Sequence, residues 1–466
     1  MQLPANARSK KVLEVFLYGG ISQWETLYFV RDYGKPTDPL YPNTQYYAFA
    51  AENQAAMASC GAVDQARPFS VDKNGAMVEL GPFAAKLWDR ADITARMRIV
   101  VQKHNLAPHE AAVPQALTGR PIGQQNAAGL GAHVQRARID QDAMSGRASP
   151  YAYVLATGGF SSDNVAAAAS SGIHPGAARP LLIKTDNAAG FTRLLERSTV
   201  GASRANTDAL VGAYVDQYNA RLTWPNRGRV RSARNDDLVA AYQTTKNVDG
   251  IRGVVTENLF ATRSGDSCGT TRSPDIPIMG LNAARHLLTH PTEPASYVCV
   301  SDIGLYEASG GGGYDVHLDC ARDTSTNFNN LLGSLLDIID VPGGNDPTKI
   351  SLDDTLVILN TEFGRTPGRQ LKGTADSGRN HHPYGYATVF IGGPITTAHK
   401  GLYGAIGPDG IATTFATPAE NRIAALLALG IWPFSPEAFA VSDVPGATGE
   451  IDAASRAMLK FLGRTQ

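Results

Sequence analysis

The chain is poor in cysteine, in charge and in long apolar runs, and each shortage removes a class of protein. Four cysteines occur (Cys60, Cys268, Cys299 and Cys320), and no two form a C-x-x-C pair, which excludes a zinc finger and a thioredoxin-type redox motif. Cys299 lies inside an apolar, strand-like run and reads as a core residue. Charged residues make up 18% of the chain and the formal net charge is -1, with no block of lysine and arginine, so neither nucleic acid nor an anionic membrane is an expected partner. The longest apolar stretch, around Ile423 to Trp432, is too short to span a bilayer. Met1 to Lys11 is polar and lacks the apolar centre of a secretion signal. That fits a cytoplasmic protein or a chain that begins after a removed signal. There is also no G-x-S-x-G elbow, no Walker loop and no H-E-x-x-H helix. His109-Glu110-Ala111-Ala112 opens like the last of these but has no second histidine.

What the chain does have is 466 residues, 43% of them apolar, enough for a packed core in one large α/β domain or two ordinary ones. Short runs rich in valine and isoleucine predict strands at Lys11 to Tyr18, Arg98 to Gln102, Arg179 to Lys184, Ser296 to Ser301, Asp354 to Asn360 and Ala387 to Ile391. Apolar residues at three-and-four spacing predict helices at Ala205 to Thr223, Leu281 to Leu288, Asn327 to Ile339, Glu420 to Leu429 and Ala453 to Leu462. This alternation is the pattern of an α/β fold: a mostly parallel sheet with helices on both faces. Residues 185 to 272 are polar and helix-biased and read as an insertion or cap. Asn164 to Gly172 and Ser264 to Ser273 read as loops.

The residues that carry chemistry sit just outside these strand ends. The apolar run Val357-Ile358-Leu359 leads into Asn360-Thr361-Glu362-Phe363-Gly364-Arg365-Thr366-Pro367, and Gly378-Arg379-Asn380-His381-His382-Pro383 follows. The first strand is followed by Gly19-Gly20-Ile21-Ser22-Gln23-Trp24-Glu25, the second by His104 and His109. The glycine run Gly310 to Gly313 leads into Tyr314-Asp315-Val316-His317. In an open α/β sheet such loops meet at one edge. Carboxylates and imidazoles gathered there without a cation would repel or stay poorly solvated, so the pattern points to a divalent metal pair.

Each residue also has a plainer reading. Asp315 fits a solvated turn, although on an extended segment Asp315 and His317 share a face and reach one ion. Glu362 fits a helix N-cap or a surface carboxylate. His381 and His382 cannot point the same way when extended, and His381 is the favoured member. His109 fits the cap of a helix starting near Glu110. Arg365 and Arg120, the latter closing Leu117-Thr118-Gly119-Arg120, suit a bidentate clamp on a phosphate or sulfate oxygen, or a structural salt bridge. His104, His133, His174, His286, His290 and His399 read as structural or surface residues.

Taken in order, the paired motifs around Glu362 and His381 resemble those of the large bacterial family catalogued as domain of unknown function 1501, within the alkaline phosphatase and sulfatase superfamily. Gly313-Tyr314-Asp315-Val316-His317 is similar to the family's G-W-D-T-H motif, and Phe16 to Glu25 is similar to its opening motif. The resemblance covers roughly Lys11 to Leu429. It implies one alkaline phosphatase-like α/β sandwich over residues 1–466, built on a mixed, mainly parallel sheet with an insertion at about 185–272. It also implies transfer of a phosphoryl or sulfuryl group to water at one or two divalent ions. By position, Glu25 and Glu362 would serve one ion, and Asp315, His317 and His381 the other.

The departures from the family pattern shape the expected mechanism. His109 stands at the nucleophile position, where no Ser, Thr or Cys is found. It is therefore expected to act as a metal ligand or to hold an attacking water. Phe363 stands where many superfamily members carry a ligand histidine, Asn380 replaces an aspartate, and Glu25 replaces an aspartate. A metal-activated water is then the expected nucleophile, with Arg365 or Arg120 holding the oxygens of a small anionic ester. The mixed oxygen and nitrogen donors favour zinc, with manganese or iron as alternatives. The competing expectations are a former hydrolase that binds a ligand or cell-surface polymer without turnover, and a metal-stabilised structural protein. Members of the family often carry an export signal, which suggests the periplasm or cell surface. The oligomeric state is left open.

Overall fold

The computed structural model describes residues 3–39, 51–59, 65–124, 126–141, 150–156, 160–173, 178–184, 201–222, 276–304, 313–368, 370, 378–435 and 438–464. Its strands are β1 (Lys11–Leu17), β2 (Arg67–Val71), β3 (Met77–Leu80), β4 (Met97–Gln102), β5 (Ala152–Ala156), β6 (Leu181–Lys184) and β7 (Tyr297–Asp302). They continue with β8 (Thr355–Asn360), β9 (Gly364–Arg365), β10 (His381–His382), β11 (Tyr386–Gly392), β12 (Gly401–Tyr403), β13 (Ala405–Ile406) and β14 (Ala412–Thr414). Eight of them form one sheet in the order β12-β4-β11-β8-β1-β7-β5-β6. Only β11 runs against its neighbours in that sheet, so the sheet is mixed and mostly parallel.

The central strand shows why the sequence folds this way. Strand β1 is almost continuously apolar because both its faces are covered. Leu13, Val15 and Leu17 enter one core layer, and Val12 and Phe16 enter the other, as the two-residue side-chain period requires. The first layer is closed by helices Ile276–Thr289 and Cys320–Ile338. The second is closed by His109–Thr118, Leu130–Gln141, Phe160–Ala169, Pro418–Ala428 and Glu450–Leu462. The exception in β1 is Glu14, fully buried but satisfied. Arg422 reaches both of its oxygens at 2.7 and 2.8 Å, Asn360 Nδ2 donates at 3.0 Å and the Tyr297 hydroxyl donates at 2.6 Å. A buried charge with this many partners avoids the large penalty of an unpaired one.

All six predicted strands are present within a residue or two, and β5 and β12 join them. One expectation is corrected. Asn164 to Gly172 is not a loop throughout: Phe160–Ala169 is a helix, with Val165, Ala168 and Ala169 buried beside Val113 and Leu117. Its alanines are strong helix formers, and the burial of one face is not visible as hydrophobic periodicity. The insertion proposed at 185–272 lies outside the described residues except for helix Gly201–Leu222, which matches the predicted Ala205 to Thr223. Cys299 is buried and free, and so is Cys320; Cys60 and Cys268 lie outside the described residues. No helix among the described residues is long and apolar enough to cross a membrane.

This topology brings the chemistry to one edge. Tyr18, His104 and Glu362 follow the C-terminal ends of the parallel strands β1, β4 and β8. Because β11 is antiparallel, the segment that precedes it, with His381, arrives at the same edge.

Candidate metal centre

Two glycines let the loop after β1 run against the site. Gly19 and Gly20 have φ of +108° and +85°, and a Cβ on either would collide, with the Asp315 backbone and with the Phe363 ring respectively. The Gly19 amide donates to Glu362 Oε1 at 2.7 Å. Behind Glu362, its backbone carbonyl accepts from His104 Nε2 at 2.5 Å, while His104 Nδ1 accepts from the Leu106 amide at 3.0 Å. His104 is therefore a neutral, fully satisfied support, and burial pushes its pKa down. Beyond Glu362, the two-residue strands β9 and β10 pair antiparallel and set Arg365 opposite His381. Asp315 and His317 lie on a tight turn rather than an extended segment, with the His317 amide bonded to the Asp315 carbonyl at 3.2 Å. Their side chains nevertheless converge.

Three imidazoles surround one carboxylate oxygen. Asp315 Oδ1 lies 2.9 Å from His317 Nε2, 3.1 Å from His381 Nε2 and 3.3 Å from His109 Nε2. The other nitrogen of each ring faces an oxygen that can only accept. His109 Nδ1 meets Glu362 Oε1 at 2.9 Å, His381 Nδ1 meets the Ala107 carbonyl at 2.8 Å and His317 Nδ1 meets Gln370 Oε1 at 2.5 Å. Each Nδ1 is therefore a donor, assigned from these partners, and each Nε2 faces inward to Asp315 Oδ1. Acceptors behind metal-binding histidines have this function.

The inward nitrogens need a positive charge between them. His317 Nε2 and His381 Nε2 are 3.0 Å apart, and the buried His109 Nε2 has no hydrogen-bond partner. Two lone pairs at that distance repel unless a proton or a cation lies between. Tetrahedral ligation at about 2.0–2.1 Å spaces ligand atoms by about 3.3 Å, close to the separations from Asp315 Oδ1. His109, Asp315 and His381 satisfy a general geometric criterion for a metal site, and His317 adds a third nitrogen. The cluster could hold a metal ion.

The titration behaviour agrees. Burial alone would raise the Asp315 carboxyl, but the three imidazoles and the Arg365 guanidinium hold it well below the usual range. Burial alone would lower His109, but Asp315 and Glu362 outweigh it and raise its pKa to about 9. His381 is lowered, chiefly by burial. His109 therefore keeps a proton at neutral pH, one that an incoming ion would displace.

Other predicted site residues take different places. Glu362 orients His109 instead of facing the inward nitrogens. Glu25 is fully buried, forms an ion pair with Arg379 and accepts from the Ser22 hydroxyl at 2.6 Å. Arg365 is also fully buried. It donates to the Gly19, Gly20 and Arg379 carbonyls and, at 2.6 Å, to Asp315, which uses four of its five N–H groups. Its role here is to tie loops to Asp315 rather than to present a free fork. Arg120 pairs with Asp443 at 2.7 Å and lies over the Phe439 ring. It follows the far end of helix His109–Thr118, about 15 Å along the axis from His109. His382 turns away to the Gly410 carbonyl.

Three contributors carried no sequence signal as site residues. Gln370 fixes His317. Tyr18 stacks on His109 with ring centroids 5.1 Å apart. Arg379 neutralises Glu25, although it sits inside the motif that contains His381. Phe363, at a position where a ligand histidine was expected, stacks instead on His381 at 4.5 Å and leans on His109 at 5.1 Å, giving both rings an apolar wall.

Fold and site together define an α/β protein with a histidine-rich candidate metal centre at one sheet edge. Residues 348–417 match the family model described as "Protein of unknown function (DUF1501)", which supports that family. The matched segment contains β8, Glu362, Arg365 and His381, whereas His109, Asp315 and His317 lie before it. No curated protein and no solved structure matches the chain.

Proposed function

We propose that this chain is a metal-dependent hydrolase of a phosphate or sulfate ester, with an alkaline phosphatase-like fold and water as the nucleophile. The observation that supports this reading is the convergence of His109, His317 and His381 Nε2 on Asp315 Oδ1, each ring anchored through its other nitrogen. When bound, a divalent ion supplies Lewis acidity that brings the pKa of water toward about 7 and offsets charge on the transferring group. The four side chains would hold that ion, zinc by preference for a nitrogen-rich set. Glu362 accepts from His109 Nδ1 and so holds the ring with Nε2 turned inward. Tyr18 and Phe363 restrict water around the rings, which strengthens every charge interaction inside. No side-chain nucleophile is required, in keeping with His109 at the position where the family motif carries one.

A second reading is a binding protein of the same fold without turnover. The commitment of Arg365 to backbone carbonyls and Asp315 favours it, because an ester's oxygens would then lack that clamp. Metal analysis of the purified protein comes first. A panel of aryl phosphate, phosphodiester and sulfate esters, with and without chelator, then separates the readings. Chelator-sensitive turnover that disappears in Asp315→Ala supports the hydrolase. Metal binding with no turnover on any ester class supports the binder.

A further inference from the structure

Beside the histidine cluster lies a second buried charge constellation. Arg379 is 1% exposed and Glu25 is fully buried. The Arg379 guanidinium forms an ion pair with Glu25 Oε1, and its Nη1 donates to Ser22 Oγ at 2.7 Å. Ser22 Oγ in turn donates to Glu25 Oε2 at 2.6 Å. The constellation is joined to the metal centre through one residue: Arg365 donates to the Arg379 carbonyl at 3.0 Å and to Asp315 Oδ1 at 2.6 Å. A second metal ion would need carboxylates. Glu25 is held by Arg379, and Glu362 is held by the Gly19 amide at 2.7 Å and His109 Nδ1 at 2.9 Å.

We infer that Arg379 is a built-in cation in the place of a second metal ion, so that the site takes a single divalent ion on His109, Asp315, His317 and His381. The inference rests on the metal-site reading above and goes further by fixing the ion count and giving Arg379 a role. An ion at Glu25 would have to displace a guanidinium already ion-paired there, leaving a buried positive charge unpaired beside the incoming one. A permanent side-chain charge also needs no metal supply.

The test is equilibrium dialysis against Zn²⁺, with bound metal counted by mass spectrometry, on the full chain and two variants. One equivalent is expected for the unmodified chain and for Glu25→Gln, which removes only the partner of Arg379. Two equivalents are expected for Arg379→Met, where the freed Glu25 carboxylate accepts an ion. Two equivalents on the unmodified chain, or loss of an ion in Glu25→Gln, overturns the inference while leaving the metal-site reading intact. A folded Arg379→Met chain that stays at one equivalent also overturns it. If that variant does not fold, the first two proteins decide the matter. No bound ion on the unmodified chain overturns the underlying metal-site reading itself.

Discussion

Glu362 Oε1 lies 2.9 Å from His109 Nδ1, so the carboxylate that ends the apolar run of β8 points an imidazole inward instead of facing the centre itself. The separation of roles has a measurable consequence. Outer partners of ligand histidines typically contribute 10–100-fold to metal affinity. Glu362→Gln is therefore expected to weaken Zn²⁺ binding about 10–100-fold with the ion count unchanged. Calorimetric titration with a competing chelator reads both quantities. Complete loss of binding would make Glu362 a ligand.

The proton on His109 predicts how binding responds to pH. In the metal-free protein burial lowers its pKa, but Asp315 and Glu362 raise it to about 9 from 6.5. An incoming ion must displace that proton, so apparent Zn²⁺ affinity should rise about tenfold per pH unit between 6.5 and 9 and then level off. Stability of the metal-free form follows the opposite sign. A folded pKa above the unfolded value contributes stability that is full below pH 6.5 and lost as pH rises through about 9. Thermal melts with and without metal should therefore diverge with rising pH. Parallel melts would remove the proton from His109.

Asp315 faces three imidazoles and the buried Arg365. In Asp315→Ala the guanidinium loses its buried anion, a change that typically costs about 3–5 kcal/mol. The variant should lose metal binding and unfold at clearly lower urea concentration, even when both proteins are stripped of metal. A metal-free stability equal to that of the unmodified chain would mean that Arg365 does not depend on Asp315.

Much of this edge was legible in the sequence, for a physical reason. Apolar runs such as Val357-Ile358-Leu359 must be buried, so the polar residues directly after them are delivered to the sheet edge. Glu362 follows such a run directly, and His109, Asp315, His317 and His381 lie on the loops that flank other strand ends. Which carboxylate meets a lone pair and which meets a guanidinium was not legible, because that choice depends on ångström-scale loop placement. Gly19 and Gly20 let the β1 loop bond Glu362 and Arg365, and Arg379 reaches Glu25 from a segment remote in sequence. Arg120 lies apart from the cluster for the opposite reason. Its motif is local, but a helix of ten residues separates it from His109.

Gly20 offers a test of how the apolar wall supports the histidines. Its φ of +85° disfavours a side chain, by roughly 1–2 kcal/mol for an L-residue. An added Cβ would also press into the Phe363 ring, which stacks on His381 at 4.5 Å. Overpacking of this kind typically costs about 1–3 kcal/mol. Gly20→Ala should therefore lower unfolding stability by a few kcal/mol and weaken Zn²⁺ binding through the displaced His381 ring. The steric part should vanish in a chain that also carries Phe363→Leu, because the smaller side chain yields room for the new methyl. The strain from φ should remain. The double variant is then expected to be more stable than the sum of the single changes predicts, by more than the roughly 0.3–0.5 kcal/mol scatter of independent sites. Strict additivity in denaturant melts would mean that Gly20 is needed for its backbone conformation alone, and that Phe363 holds His381 without help from the β1 loop.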